Sequence, residues 1–192
     1  MAGDLTIRPL TPDLWDDLAA LFAADTVSRG CWCLHWRLPK KEFADIAAAD
    51  RPARFRAVAA GTVPGLIAHD ATGPAAWVQI TPRTQVPRFQ AVPSARPAPD
   101  TPEGTWALSC FFIRKDLRRQ GVMARLARAA CDHAAAHGAA AVPAPARRPG
   151  GSFGPGEGFT GLLPPLANAG FAEVEDRTPL RVLMRWTPGA AK

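Results

Sequence analysis

The chain has 192 residues, 47% hydrophobic and 21% charged, which suits one domain with a sizeable core and excludes a wholly disordered chain. Its formal net charge of +6 suits an anionic small ligand as well as a nucleic acid. The arginines are spread along the chain, however, and no aromatic and basic interleaving of the RNA-binding kind is present, so no nucleic-acid partner is expected.

Leu5 to Leu10 alternates and reads as a first strand. Thr11 is placed to cap a helix, with Pro12 first and Asp13 in the opening turn, and Leu14, Leu18, Leu21 and Phe22 make its apolar stripe. Arg29 to Pro39 is irregular and aromatic-rich. Helical spacing resumes over Lys41 to Ala49, and Asp50 is placed to cap a further helix that Gly61 ends. Strands at Gly65 to His69 and Ala75 to Thr81, joined by Ala71-Thr72-Gly73-Pro74, predict a hairpin. Residues 82–104 are proline-rich with little periodicity and read as a long functional or mobile loop.

Thr105 to Ile113 is nearly all apolar, as in a strand buried on both faces. A basic turn follows, then a helix with Met123, Leu126, Ala127, Ala130, Cys131 and Ala134 on one face, ended by Gly138. Ala139 to Ala144 reads as the next strand and residues 147–158 as a Gly/Pro loop. Phe159 to Ala169 reads as a short helix with Pro164 and Pro165 near its start, and Gly170 ends it. Phe171 to Asp176 and Arg181 to Trp186 are the last strands. No internal repeat or clean linker divides the chain.

Cys31, Cys33, Cys110 and Cys131 are too few and too uneven for a secreted disulfide framework. The N-terminus has no signal-like apolar run, and no stretch approaches the ~20 apolar residues of a membrane span. A cytoplasmic address and no membrane partner are therefore expected.

Chemistry concentrates in residues 105–137. A helix N-terminus has unpaired N–H groups and positive partial charge. A turn containing Gly121 lets backbone N–H groups crowd an anion, and Arg118 and Arg119 add full charges. Strand, turn and helix together predict a pyrophosphate site.

Arg118-Arg119-Gln120-Gly121-Val122-Met123 resembles the pyrophosphate loop of GNAT N-acetyltransferases, Gln/Arg-x-x-Gly-x-Gly/Ala, departing from it at Met123. The order of elements is similar over nearly the whole chain, and Ala169-Gly170-Phe171 looks like the Gly-Phe that closes the last helix. Cys31-Trp32-Cys33-Leu34-His35-Trp36-Arg37 and Trp106 to Ile113 resemble segments of a poorly characterised branch of that family.

The resemblance implies a single α/β domain over residues 1–192, a GNAT-like mixed, mostly antiparallel sheet flanked by helices. It implies acetyl-CoA as co-substrate and no metal. The acetyl carbonyl and pantetheine would pair with the backbone near Cys110, Phe111 and Ile113, with Phe112 beside them, and the pyrophosphate would sit on Arg118, Arg119, Gln120, Gly121, Val122, Met123 and Ala124. A primary amine of a small molecule or peptide would attack the thioester directly. A homodimer is a further implication.

Two proton-handling groups usual in the family are missing. Leu166 stands where a Tyr is common, and Pro143 where an acid is common. Cys110, Ser109 or His35 are the substitutes considered; catalysis by positioning alone, or a catalytically weak acyl-CoA-binding module, are the alternatives.

Three readings of Cys31 to Arg37 stay open. Cys31, Trp32, His35, Trp36 and Arg37 wall the acceptor pocket, form a structural plug, or, least favoured, hold a metal through Cys31, Cys33 and His35. His133 and His137, four apart on one helix, are read as solvent-exposed, and Cys131 as inert packing. Arg83 and Arg88 are read as loop residues or as contacts for an acceptor carboxylate or phosphate.

Overall fold

The computed structural model describes residues 3–152, 154 and 156–189, so residues 153 and 155 of the expected 147–158 loop lie outside the description. Strand β1 (Thr6–Pro9) pairs antiparallel with β2 (Gly65–Asp70), β2 with β3 (Gly73–Pro82), and β3 with β4 (Trp106–Ile113). A second antiparallel sheet has β5 (Val142–Arg147) beside β7 (Arg181–Trp186), which in turn pairs with β6 (Ala172–Thr178). The hairpin and both final strands match their sequence periodicity.

Helices cover both faces of the first sheet. Helix α1 (Trp15–Ala23) packs on one face, together with α5 (Arg51–Gly61). There Leu18, Phe22, Trp32, Phe55, Ile67, Trp77 and Phe112 form an aromatic core. Helix α7 (Val122–Ala136) covers the other face, where Leu126, Ala127, Ala130, Cys131 and Ala134 pack on Ala76, Val78, Ile80, Leu108 and Phe111. The stripe read from sequence is the buried face, and Cys131 is buried in it as expected.

Several expected details differ. Pro12–Leu14 is a 3-10 turn, and α1 starts after it with no side-chain cap from Thr11; Asp50 likewise precedes α5 without capping it through its side chain. The stretch Arg29 to Pro39, read as irregular, holds the end of α2 (Thr26–Cys31) and all of α3 (Leu34–Arg37), and α4 spans Lys40–Asp45, ending short of Ala49. Asp25 caps α2, accepting from the N–H groups of Val27 (2.9 Å) and Ser28 (3.2 Å).

The proline-rich stretch is built rather than open. It carries α6 (Arg88–Ala91), and Val86, Phe89 and Ala95 bury themselves against Trp36 and Ala107. Strand β5 starts and ends three residues later than the alanine run suggests. Gly138, at φ +78°, turns the chain, and residues 139–141 lead it across to the start of β4. Gly65 must be glycine for another reason: a Cβ there would run into the Val78 carbonyl and the Trp77 indole.

Candidate functional site

Strands β4 and β5 lie side by side and then separate. Their starts are joined where the Ala140 N–H donates to the Gly104 carbonyl (3.2 Å) and the Trp106 N–H to the Ala141 carbonyl (2.9 Å). The cause of the split is readable in β5. Side-to-side alternation puts residues 143, 145 and 147 on one edge, and the Arg147 N–H points away from β7, to the Gly161 carbonyl (3.0 Å). Pro143 and Pro145 share that edge and have no N–H, so β5 offers β4 carbonyl acceptors but no donors there, which weakens the ladder. Pro143, noted in sequence as a missing acid, is thus part of what opens the sheet.

The opening leads into a cleft of about 580 Å³. Phe111 and Ile113 of β4, Arg118 to Met123 apart from Gln120, Leu162, and Pro165 of α8 (Leu163–Asn168) line it, as do Asp25 and Val27 and the glycines at 154, 156 and 158. At one end the chain builds an anion cradle. Arg119 (φ +61°) and Gly121 (φ +79°) are left-handed, and α7 begins with no side-chain cap. Its first intrahelical bond is from the Arg125 N–H to the Gly121 carbonyl (3.2 Å). Among the described residues, no acceptor takes the N–H groups of Val122, Met123 or Ala124. These open donors, with exposed Arg118 and Arg119 beside them, fit a pyrophosphate.

The turn is braced from outside. Arg114 spans Asp70 (2.6 Å) and Asp116 (2.8 Å), tying the β2–β3 hairpin to the start of the turn. Hydrogen bonds from Thr72 and then Arg114 hold the Asp70 carboxyl down at about 2. The Arg118 Nε–H donates to the Ile113 carbonyl (3.0 Å), and the Gln120 side chain to the Asp116 carbonyl (2.6 Å).

Further back along the strand, before Phe111, β4 carries a bulge. Gln79 pairs with Cys110 and Ile80 with Leu108, leaving Ser109 without an opposite residue. The buried Ser109 hydroxyl accepts from Gln79 Nε2 (2.6 Å), and Gln79 Oε1 accepts from Arg37 Nε (3.1 Å). Arg37 also donates to Gln85 Oε1 (3.3 Å) and the Pro64 carbonyl (3.4 Å). Its buried guanidinium has only neutral partners, and burial lowers it to about 10. The Cys110 thiol is pushed well up, first by its hydrogen bond with Cys33 and then by burial; burial raises Cys31 to about 11. Both are neutral thiols at pH 7, unsuited to act as a base.

A Gly-rich strap fills the separated ends of β4 and β5. The Phe159 carbonyl accepts the Phe111 N–H (2.6 Å), and the Gly161 carbonyl takes the Arg147 N–H. Arg147, buried and on β5, donates to the carbonyls of Gly150 and Ser152 (2.8 Å each) and pairs with Glu157 (3.4 Å). Arg181 reaches Glu157 (3.6 Å) and Thr160 (3.1 Å). The sequence reading placed a helix over 159–169; only Leu163–Asn168 is helical, because the prolines start it and the strap precedes it. The backbone N–H of Phe111, assigned to a ligand from the resemblance, is held by this strap.

The other expected site residues separate into two groups. Arg118, Arg119, Gly121, Val122 and Met123 meet on the cleft wall with Phe111 and Ile113, and Gln120 and Ala124 are part of the same turn and helix start. Phe112 points to the opposite, aromatic face. Trp32 is stacked on Trp15 (5.5 Å) and Trp36 is edge-on to Phe89 (5.0 Å); both are interior packing rather than cleft wall. His35, between Trp36 and Phe43, is lowered by burial to about 4. His35, Arg37, Arg83 and Arg88 do not line the cleft. His133 and His137 sit with ring centroids 4.3 Å apart beside Trp106; His137 is exposed as expected, whereas His133 is half-buried. No group of three or more His, Cys, Asp or Glu residues is placed to hold a metal ion among the described residues. Nor is any described helix long and apolar enough to cross a membrane.

Asp25, Val27, Phe159, Leu162 and Pro165 were missed as cleft residues. The Asp-Thr-Val-Ser run at 25–28 carries an N-cap signal for Asp25; nothing local marks the others, which arrive through tertiary packing.

The acetyltransferase (GNAT) family model matches residues 28–146. No curated protein matches the chain. Among solved structures, a GNAT-family acetyltransferase from Streptococcus pneumoniae aligns over 97% of this chain and 100% of its own, at 15% identity and TM-score 0.54. An uncharacterised protein from Bacillus halodurans aligns over 95% and 83%, at 13% identity and TM-score 0.55. An aminoglycoside acetyltransferase in complex with coenzyme A aligns over 96% and 95%, at 14% identity and TM-score 0.56. These three are similar in fold.

Proposed function

The chain belongs to the acetyltransferase (GNAT) family, and from that premise we propose that it moves an acetyl group from acetyl-CoA to a primary amine of a small molecule or peptide. The observation that carries this reading is the cleft. Its open donors at Val122, Met123 and Ala124 lie at one end, beside the separated ends of β4 and β5. Arg118, Arg119 and the α7 N-terminus hold the donor's pyrophosphate, and Phe111, Leu162 and Pro165 exclude water along the cleft.

In this reading the amine nitrogen attacks the thioester carbon. An N–C bond forms, the C–S bond breaks, and CoA leaves as a thiolate that takes up a proton. A thiol ionises near pH ~8.5, so this leaving group asks little of an acid, consistent with the apolar Leu166 buried in the core at the position of the usual Tyr. Asp25, the carboxylate lining the cleft, is assigned to attract the ammonium, whose proton leaves to solvent. Most of the rate then comes from holding two substrates together.

One observation favours a second reading, a CoA-binding module with weak catalysis: the strap already occupies the Phe111 N–H. Calorimetric titration with acetyl-CoA and CoA, followed by thioester turnover across an amine panel, separates the two. Binding that is weakened about tenfold by Arg118→Ala, about 1.4 kcal/mol, together with turnover on some amine, supports the transferase. Equal binding without turnover supports the module, and no binding removes both.

A further inference from the structure

The last turn of α7 carries a pair of imidazoles that neither the cleft nor the core uses. His133 and His137 are one turn apart, and their ring centroids are 4.3 Å apart. Two histidines at this spacing lie on one side of a helix and reach one ion together. Trp106, the first residue of β4, backs both rings at 5.7 and 5.8 Å. None of the three lines the cleft.

Hydrogen bonding decides which nitrogens are free. His137 Nδ1 lies 2.8 Å from the His133 carbonyl. A carbonyl only accepts, so Nδ1 carries the proton, and the neutral ring keeps its lone pair on Nε2. A backbone acceptor on one nitrogen is the arrangement that presents the other to a metal ion. His133 Nε2 is buried and takes no hydrogen bond among the described residues. A buried ring nitrogen without a partner is costly, and a ligand there relieves it. His137 is exposed, so the pair opens to solvent on that side. The surroundings also favour positive charge, because the end of α7 presents its last carbonyls and the negative end of its dipole.

We propose that His133 and His137 form a two-imidazole site for one first-row divalent cation of the Zn²⁺, Ni²⁺ or Cu²⁺ class, separate from the cleft. No third His, Cys, Asp or Glu joins them among the described residues, so water completes the coordination. Imidazole ligands without a carboxylate suit these cations and not Mg²⁺ or Ca²⁺. The site stands beside Trp106, whose N–H joins β4 to the Ala141 carbonyl (2.9 Å). An ion there holds the end of α7 in place, so its binding adds stability and is independent of the acyl-transfer reading.

Calorimetric titration of the full chain, without a histidine tag, with Ni²⁺, Zn²⁺ and Mg²⁺ tests this, using wild type, His137→Ala and His133→Ala. Wild type should bind one Ni²⁺ per chain, and Mg²⁺ about tenfold or more weaker. Each variant should bind Ni²⁺ about tenfold or more weaker than wild type. Without metal, His137→Ala should melt close to wild type, since His137 is exposed; Ni²⁺ should raise the melting temperature of wild type alone. Should His133→Ala not fold, His137→Ala decides by itself. A wild-type protein that binds no Ni²⁺ overturns the proposal, as does Ni²⁺ affinity kept in His137→Ala, which would place the ion elsewhere. Mg²⁺ bound as tightly as Ni²⁺ overturns the assigned class of ligand.

Discussion

The two faces of the central sheet are built from different materials. On the α7 face the site is backbone: a turn at Arg119 and Gly121, three open N–H groups, and two arginines. On the α1 face it is side chain on side chain, with Trp15, Phe22, Trp32, Phe55 and Trp77 in edge and stacked contact. Trp32 (φ +48°) and Cys33 (φ +51°) are consecutive left-handed residues with side chains, a conformation that costs energy unless the surroundings impose it. Here they do: the Trp32 ring is clamped between Trp15 and Phe22, and Cys33 Sγ accepts the Trp77 indole N–H (3.2 Å). A backbone site tolerates change in its side chains, whereas a packed site does not. Ligand affinity and fold stability should therefore respond to different sets of mutations.

The largest expected effect is on the packed face. Trp77→Ala empties a fully buried indole position and should lower the unfolding free energy by about 3–5 kcal/mol, read from urea denaturation. On the backbone face, Gly121→Val places a β-branched residue at φ +79° with open space around its Cβ. Strain rather than a clash should deform the cradle, weakening CoA binding by about tenfold or more, roughly 1.4 kcal/mol. Its effect on the denaturation midpoint should be much smaller than that of Trp77→Ala. A Gly121→Val protein that binds CoA normally would break the comparison outright.

Arg37→Met sharpens it. The change leaves the Gln79 Oε1 and the Pro64 carbonyl without their buried donor, while Gln85 keeps the Thr81 hydroxyl, and should cost about 1–3 kcal/mol of stability while CoA affinity stays at the wild-type value. Loss of CoA binding in a folded Arg37→Met protein would instead tie the Arg37–Gln79–Ser109 chain to the cleft.

The smallest effect is a pH dependence. Burial, with a smaller contribution from Arg88, lowers His35 to about 4 from an ordinary 6.5. The unfolded chain therefore takes up this proton at higher pH than the folded one. The contribution of neutral His35 is complete above about pH 6.5 and is lost as pH falls toward about 4. The melting temperature should drop across that window, and less so in His35→Gln. Asp70, held at about 2, titrates below it. Identical pH profiles for the two proteins would mean that His35 is solvated rather than packed.

The legible parts of the sequence were those whose cause is local. The α7 stripe follows from helical periodicity, the hairpin from Asp70 to Gly73 and its flanking strands, and the cradle from Gly121 preceding a helix with arginines beside it. The illegible parts depended on partners far away in the chain. Cys31 to Arg37 carries aromatic and basic residues that suit a pocket or a plug equally. What decided between them was the arrival of Trp15, Phe43 and Phe89 from other segments, which enclosed Trp32, His35 and Trp36. Residues 82–104 looked like open loop because Val86, Phe89 and Ala95 have no period; they are buried singly.

By itself, then, the sequence determined the anion cradle of this protein. A left-handed glycine and a helix start are properties of a few consecutive residues, and their chemistry travels with them. Tertiary structure alone decided where the cleft ends. The Pro-Ala-Pro of β5 gives β4 no donors, the strap from 156 to 161 takes the vacated place, and Phe159 is brought against Phe111 and Phe112. No window of sequence contains both sides of that contact, since it exists only where β4, β5 and the strap are brought together by the burial of the core behind them.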